Sequence, residues 1–588
     1  MPAKPNPRRA HGLLERFRVG IKSAAYKLAW RIRLRLSAAA GRTGAGHSGM
    51  LLWAILIGIL GGLGSAAFRA VNLQLTWLFT GQSRDIVMIA ESLSPIERVW
   101  IPTIGGALAG FALMLGARLL PGQRPLEYLE AIRLGDGVMR VRATLLPLLS
   151  SLLSVSAGAS IGREGGMVQL SAMLGSVLGR CLSVSQPKLK LMVACGGAAG
   201  LASGFNTPLA GALFIAEVVL QSIAIEALGP LIVSAITATL VIRHWIGIQP
   251  IFASAVLNAP VTIDLPRVFE LGLVAGLAAP VFLLSLELSR SVFRRLRFSL
   301  PTSLALGGLM VGLISLVRPE VWGNGHGVVE ALFREPATFD FVLSILLMKF
   351  LATVIASGSG AVGGVFTPTL LIGAALGWLF ESLFPATGVH STGVLVTYAA
   401  LGAGAFLAAT THAPVLAILM VFEMTLDANL LFPLIIACLT SRYLSAALRS
   451  KSIYAESLGP HRPLLPMYLA HVSDLMTKPK AVMDLSTSLD ELRAAFCTTT
   501  ASRIWITDRH GLLLGAIAPA AITQGHWESE ALAQSLMQPQ PPSIQPMQPL
   551  GEALRLLIES GSEELPVVDG RGRLIGEVSR SDVLLSLT

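Results

Sequence analysis

One charged pair stands where a lipid-soluble chain tolerates charge least. Gly162-Arg163-Glu164-Gly165-Gly166 lies between two apolar runs, residues 145–155 and 167–177. A charge at membrane depth costs roughly 3 kcal/mol on insertion scales. The glycines let the backbone leave the helix and present its N–H groups. Apolar flanks, a broken helix and a carboxylate at the break together point to an ion pathway rather than a packed core.

The flanks belong to a larger pattern. Of 588 residues, 53% are hydrophobic and 14% charged, against about 25% charged in a soluble globular chain. Apolar runs of about twenty residues recur from Met50 to near Leu448, as a multi-spanning membrane protein requires. Glycine (58) and proline (33) are abundant, many of them within those runs. In a bilayer such breakers are tolerated where protein covers the backbone or the backbone lines a cavity. The first 42 residues hold eleven Lys/Arg and one acid, Glu15. This is a positive-inside signal that places the N-terminus in the cytoplasm. No base-reading or stacking motif accompanies the basic arm, so no nucleic-acid partner is expected. No cleavable signal peptide is evident. The cysteines, Cys181, Cys195, Cys438 and Cys497, lack metal-ligand spacing and are expected to be small buried hydrophobes.

Three regions follow: a basic arm (1–48), a membrane domain (49–460) and a cytoplasmic tail (468–588) in which charge returns. The membrane domain holds a diverged repeat. Gly165-Gly166-Met167-Val168 and Gly363-Gly364-Val365-Phe366 each open a small-residue run. Downstream, Pro208 leads to Glu217 and Pro414 to Glu423, nine positions apart in each case. Both glutamates read as buried acids satisfied by backbone donors, and His412 as a packed histidine. The tail reads as two similar α/β units, about 468–525 and 533–588, each a helix, a strand, a tight turn and a strand.

Two Gly-led helix N-termini, at 162–166 and 363–368, can hold an anion between them. Each carries about half an elementary positive charge and several free N–H donors. Pro368 suits an early helical position, where no N–H is needed. Such a site binds moderately, as conduction requires.

These stretches resemble the CLC family of chloride channels and proton-coupled chloride antiporters. The resemblance rests on Gly162-Arg163-Glu164-Gly165, Gly363-Gly364-Val365-Phe366-Thr367-Pro368, Phe205-Asn206-Thr207-Pro208-Leu209-Ala210-Gly211 and Ser452-Ile453-Tyr454, in the family's order. It covers roughly residues 50–460. It implies an all-α polytopic fold of inverted-repeat helices with re-entrant half-helices. It also implies a homodimer with one pore per subunit, multi-pass in the inner membrane, with both termini cytoplasmic. Carried over position by position, it makes Glu164 the gate beside Arg163. The backbone N–H groups of Val365 and Phe366 and the hydroxyl of Tyr454 would face the anion. A carboxylate mimics an anion and competes for the same dipoles. Tyr454 is otherwise an interface aromatic, and Glu164 otherwise an ion-pair partner of Arg163.

The chain departs from the pattern in three places. The family's Gly-Ser-Gly-Ile-Pro, which supplies a coordinating serine, is matched only by Pro121-Gly122-Gln123-Arg124-Pro125, with Gly122 or Gln123 in the serine's place. Gly166 replaces the usual proline. Family antiporters typically carry a second glutamate after the first in the later helix; here Glu217 is followed by Val218, which carries no proton. The expectation is therefore a passive gated chloride channel, with proton-coupled antiport as the alternative. A CBS-bearing cation transporter, such as one for magnesium, is the more distant rival, and enzyme motifs are lacking. No cofactor is required, chloride being the transported ligand. The tail resembles a tandem of CBS domains. Ser579 and Asp582 fall where that motif meets an adenine nucleotide, and a purely structural tail is equally open.

Overall fold

The computed structural model describes residues 47–119, 127–133, 135–182, 184–221, 224–246, 264–334, 337–385, 392–449, 451–454, 471–498, 502–524 and 531–587. The basic arm therefore lies outside the described residues, as does Gly122. The chain divides into two compact units, one made mainly of residues 53–177 and 186–454, the other mainly of 471–587.

The first unit is helical. Among the described residues, eight helices are long and apolar enough to cross a membrane. They differ in how far they are sheathed by protein. Phe366–Leu383 and Thr392–Thr411 are the most buried, and the others keep broad apolar faces open. Those faces suit lipid, against which apolar side chains need no cover. The core helices approach closely because their contact faces are glycine. A Cβ on Gly402 would overlap the Gly373 carbonyl, and one on Gly196 the Ser171 carbonyl.

The repeat read from the sequence is present in the backbone. Helices Glu164–Cys181 and Phe366–Leu383 are both 18 residues long. Gln186–Phe205 and Thr392–Thr411, which follow them, are both 20. Each second helix ends on a left-handed residue, Asn206 (φ 61°) or His412 (φ 59°), a conformation that Asn and His enter more readily than most side chains. A proline then starts a short helix, Pro208–Phe214 or Pro414–Thr425. The preceding N-caps match closely: Thr207 at φ −122°, ψ 85° and Ala413 at φ −121°, ψ 81°. Twelve helical residues span about 18 Å, short of a 30 Å hydrocarbon core, so these are half-helices.

The half-helices are exchanged by their acids. Glu217 accepts from the N–H groups of Val415 (3.3 Å) and Leu416 (2.8 Å). Glu423 accepts from Leu209 (3.0 Å) and Ala210 (2.8 Å). Each half's carboxylate thus satisfies the exposed N-terminus of the other half's helix, as expected of acids held by backbone donors. The halves differ at one place. Asn206 and His412 are 206 positions apart, whereas the left-handed C-caps Gln221 and Leu426 are 205 apart. The extra residue is absorbed as a π-helical turn, Ile215–Leu220, which contains Val218.

The second unit is two α/β halves. Strands β1 (Val482–Asp484), β2 (Ile504–Thr507), β3 (Leu513–Ile517) and β4 (Gln538–Pro539) form one sheet in the order β1-β2-β3-β4, with β1 parallel to β2 and the rest antiparallel. Strands β5 (Glu564–Val568) and β6 (Leu574–Ser579) form an antiparallel pair. Helices Leu489–Thr498 and Leu550–Glu559 cover them, burying Leu492 and Leu557 in two separate cores. Both turns use one device. Asp508 accepts from the N–H groups of His510 and Leu512, and Asp569 from those of Arg571 and Arg573. Gly511 (φ 81°) and Gly572 (φ 80°) close the turns, and the turns pair across Leu512 and Arg573.

One cysteine departs from expectation. Cys195 and Cys438 are buried, but Cys181 is exposed, because it is the last residue of its helix. The Cys497 side chain lies outside the described residues.

Candidate functional site

The two Gly-led loops meet. The Gly162 N–H donates to the Gly364 carbonyl (2.6 Å) and the Gly364 N–H to the Gly162 carbonyl (2.9 Å), a two-bond antiparallel bridge. Helix Glu164–Cys181 starts two residues beyond one strand of this bridge and helix Phe366–Leu383 two residues beyond the other. Val365, the second helix's N-cap, makes no side-chain capping bond. The first N–H groups of that helix therefore have no acceptor within it. Two positive helix ends are held side by side by their own backbones.

The Glu164 side chain is 3% exposed and lies in this junction. Its Oε1 accepts from the Asn324 side-chain amide at 2.7 Å. Its Oε2 has no hydrogen-bond partner and is placed so that a Cβ on Gly162 would overlap it. A Cβ on Gly364 would stand 3.9 Å from the same oxygen. The carboxylate thus lies beside the backbone that begins the second helix. No ion pair joins Arg163 to Glu164 among the described residues. Arg163, half-buried, opens the helix that Glu164 begins, its carbonyl accepting from the Met167 N–H.

Aromatic rings close the other side. Phe366 packs on Phe205 (ring centroids 5.2 Å apart) and edge-on to Phe214 (6.2 Å). Phe214 in turn meets Tyr454 edge-on at 5.3 Å. Tyr454 packs on a buried cluster that includes Ile372, Phe406 and Ile453, not on a lipid-facing belt. Its segment is tied in by the Ile453 N–H donating to the Thr410 carbonyl (3.0 Å). Glu164, Val365, Phe366 and Tyr454, some 290 positions apart at the extremes, are gathered on three elements around one junction. Val218 sits apart in the π turn, 7% exposed.

Several neighbours of this junction were not singled out from the sequence. Asn324 sits between Gly323 (φ 65°) and Gly325 (φ 86°), and the glycines on both sides of it were an available signal. Lys349 lies mid-helix in Phe339–Gly358 and is fully buried; a lysine inside an apolar span was another. Arg69 donates to the carbonyls of Ser203 and Gly204, both at 2.8 Å, capping the helix that ends at Phe205. Arg69, Lys349 and the Tyr454 hydroxyl all lie within Coulombic reach of Glu164. Buried basic side chains and helix N-termini thus lie around the Glu164 carboxylate.

The comparisons with known proteins match this architecture. The family model described as voltage gated chloride channel covers residues 105–446. The chain belongs to the voltage-gated chloride channel (CLC) family. It is 44% identical over 417 residues to a ClcB-like chloride channel protein of Ralstonia nicotianae, covering 70% of this chain and 97% of that one. It is 40% identical over 419 residues to the voltage-gated ClC-type chloride channel ClcB of Citrobacter koseri, covering 70% and 99%. A solved cyanobacterial Cl−/H+ antiporter, described as slow, aligns with TM-score 0.60 at 27% identity, over 70% of this chain and 97% of that one. A eukaryotic CLC transporter aligns over 91% of this chain and 97% of its own, with TM-score 0.61 at 18% identity, a likeness of fold. The model for the CBS domain matches residues 533–588, and residues 471–524 repeat the same strand–turn–strand plan. Family membership displaces the cation-transporter alternative.

In the tail, the Ser579 hydroxyl donates to Asp582 Oδ2 (2.7 Å) and accepts from the Asp582 N–H (3.1 Å). These two residues are brought together, in the arrangement that caps the start of helix Arg580–Leu587.

Proposed function

We propose that this protein is a gated passive chloride channel of the inner membrane, with Glu164 as the gate. The carrying observation is the Glu164 carboxylate: it lies where two helix N-termini converge, with one oxygen unpartnered. An anion that displaces it inherits the same dipoles. The N–H groups of Val365 and Phe366 face that anion, the Tyr454 hydroxyl meets it from the cytoplasmic side, and Arg163 adds positive charge at the entrance. Gly122, outside the described residues, is proposed to stand where the family has its coordinating serine. Passive conduction rather than exchange rests on Val218, a buried aliphatic residue at the position of the antiporters' second glutamate. The functional unit is a homodimer with one pore per subunit and both termini in the cytoplasm.

Reconstitution in proteoliposomes tests this reading. A chloride gradient is expected to drive chloride efflux with no uphill proton movement, and Glu164→Gln is expected to raise efflux and remove its pH dependence. Reproducible uphill proton pumping would establish antiport instead.

For the tail, a structural role is favoured, because the Ser579 hydroxyl is engaged by Ser581 and Asp582 in capping its own helix. Calorimetry of the full-length protein with ATP, ADP and AMP is expected to show no heat; a saturable heat would make the CBS pair a nucleotide site.

A further inference from the structure

Lys349 is buried at full depth, and no carboxylate among the described residues pairs with it. An unpaired interior ammonium is costly, and a methionine would fill the same space. Its partners are two carbonyls of one loop: Nζ donates to Val321 (2.9 Å) and Gly323 (2.7 Å). That loop is shaped to receive it. Gly323 and Gly325 both take left-handed conformations, and a Cβ on Gly325 would stand 3.2 Å from Lys349 Cε. Between the two glycines is Asn324, whose amide donates to Glu164 Oε1.

The loop is pinned from a second side. Trp322 is buried against Gly158, and the Gly323 N–H donates to the Gly158 carbonyl (3.4 Å). One helical turn beyond Lys349, the Thr353 hydroxyl bonds with Ser160, at 3.2 Å, in the segment leading to Glu164. A single helix therefore braces both the carboxylate's own loop and the loop that holds its hydrogen-bond donor.

We propose that Lys349 is a positioning residue for the Glu164 gate: its ammonium fixes the 321–325 loop, and the loop fixes the Asn324 amide that retains the carboxylate. The inference rests on the gate assignment above. Lys349 touches neither the anion nor Glu164. It acts through Asn324, by holding the loop that carries that amide. Loss of either link frees the carboxylate to leave.

Chloride efflux from proteoliposomes at neutral pH tests this with Asn324→Leu, Lys349→Met and Lys349→Arg, each in the wild-type and Glu164→Gln backgrounds. Asn324→Leu and Lys349→Met are each expected to raise efflux about tenfold, the low end for a lost hydrogen bond to a charged group. Lys349→Arg is expected to restore the wild-type rate. In the Glu164→Gln background none of the three is expected to add anything. Lys349→Gln serves if Lys349→Met yields no folded protein, and Asn324→Leu reads the same link with the lysine intact. Equal effects in both backgrounds, or no effect of Asn324→Leu in the wild type, would overturn the proposal while leaving the gate assignment standing. If Glu164→Gln itself leaves efflux unchanged, the gate assignment falls and this link with it.

Discussion

Single side chains decide the gate. Glu164 is retained by one amide and crowded by one glycine, so it is held without being locked. Gly162 is the sensitive neighbour, because any Cβ there collides with Glu164 Oε2. Gly162→Ala is therefore expected to displace the carboxylate, raising chloride efflux at neutral pH toward that of Glu164→Ala; efflux at the wild-type level would show that the carboxylate has another resting place. The charged pair at 163–164 and its glycines announced this spot in the sequence. Asn324 and Lys349 did not announce themselves as its neighbours, since 160 and 185 positions separate them from Glu164. Tertiary packing brings them there: helix Phe339–Gly358 carries Lys349, and the loop that carries Asn324 is held by that lysine and by Gly158.

Among the elements, the half-helices carry the architecture. Their N-termini are exposed donors that a bilayer interior cannot satisfy, and the exchanged acids supply the acceptors. Glutamine in place of either acid offers one acceptor and turns an N–H toward donors. Glu217→Gln and Glu423→Gln are each expected to cost about 1.5–3 kcal/mol, with similar losses because the two caps are nearly superimposable. Thermal unfolding of the detergent-solubilised protein measures both, and a large loss from only one would contradict the symmetry. Helix contacts are less forgiving. At Gly402 a Cβ meets the backbone of Gly373 and Gly377, neither of which can rotate away. Gly402→Ala is expected to destabilise by about 1–3 kcal/mol, read in the same assay.

At the level of the whole molecule, the membrane unit and the tail answer to different solvents. In the tail, the buried Glu577 accepts from the Trp505 indole N–H (2.9 Å) and shares Lys480 with Glu564. Burial, then the neighbouring Glu564 charge, raises the Glu577 pKa above its ordinary value, against the opposing indole and lysine. A carboxyl whose folded pKa is raised binds its proton more tightly when folded. Its contribution is therefore fully present below the unfolded value near 4.3 and lost as pH rises through the folded one. Local stability of β5 and β6 is expected to fall over that window in the wild type and to change less in Glu577→Gln. Amide hydrogen exchange on the full-length protein at stepped pH reads this; identical slopes would remove Glu577 as the cause.

Much of this protein is legible in its residues alone. Apolar runs, Gly-led breaks and the matched Pro-to-Glu spacings specify a polytopic helical domain with two halves, because solvation and backbone freedom are local properties of a sequence. In the tail, the strand–turn–strand expected of each unit is present, from alternation and from Asp and Gly at the corners, while β1 and β4 add to the first sheet beyond that expectation. Proximity is not a local property. The exchange of Glu217 and Glu423 between halves and the seat of Lys349 behind Asn324 arise from contacts between distant segments. They follow from which distant donors and acceptors the fold sets face to face, and no spacing in the chain encodes that.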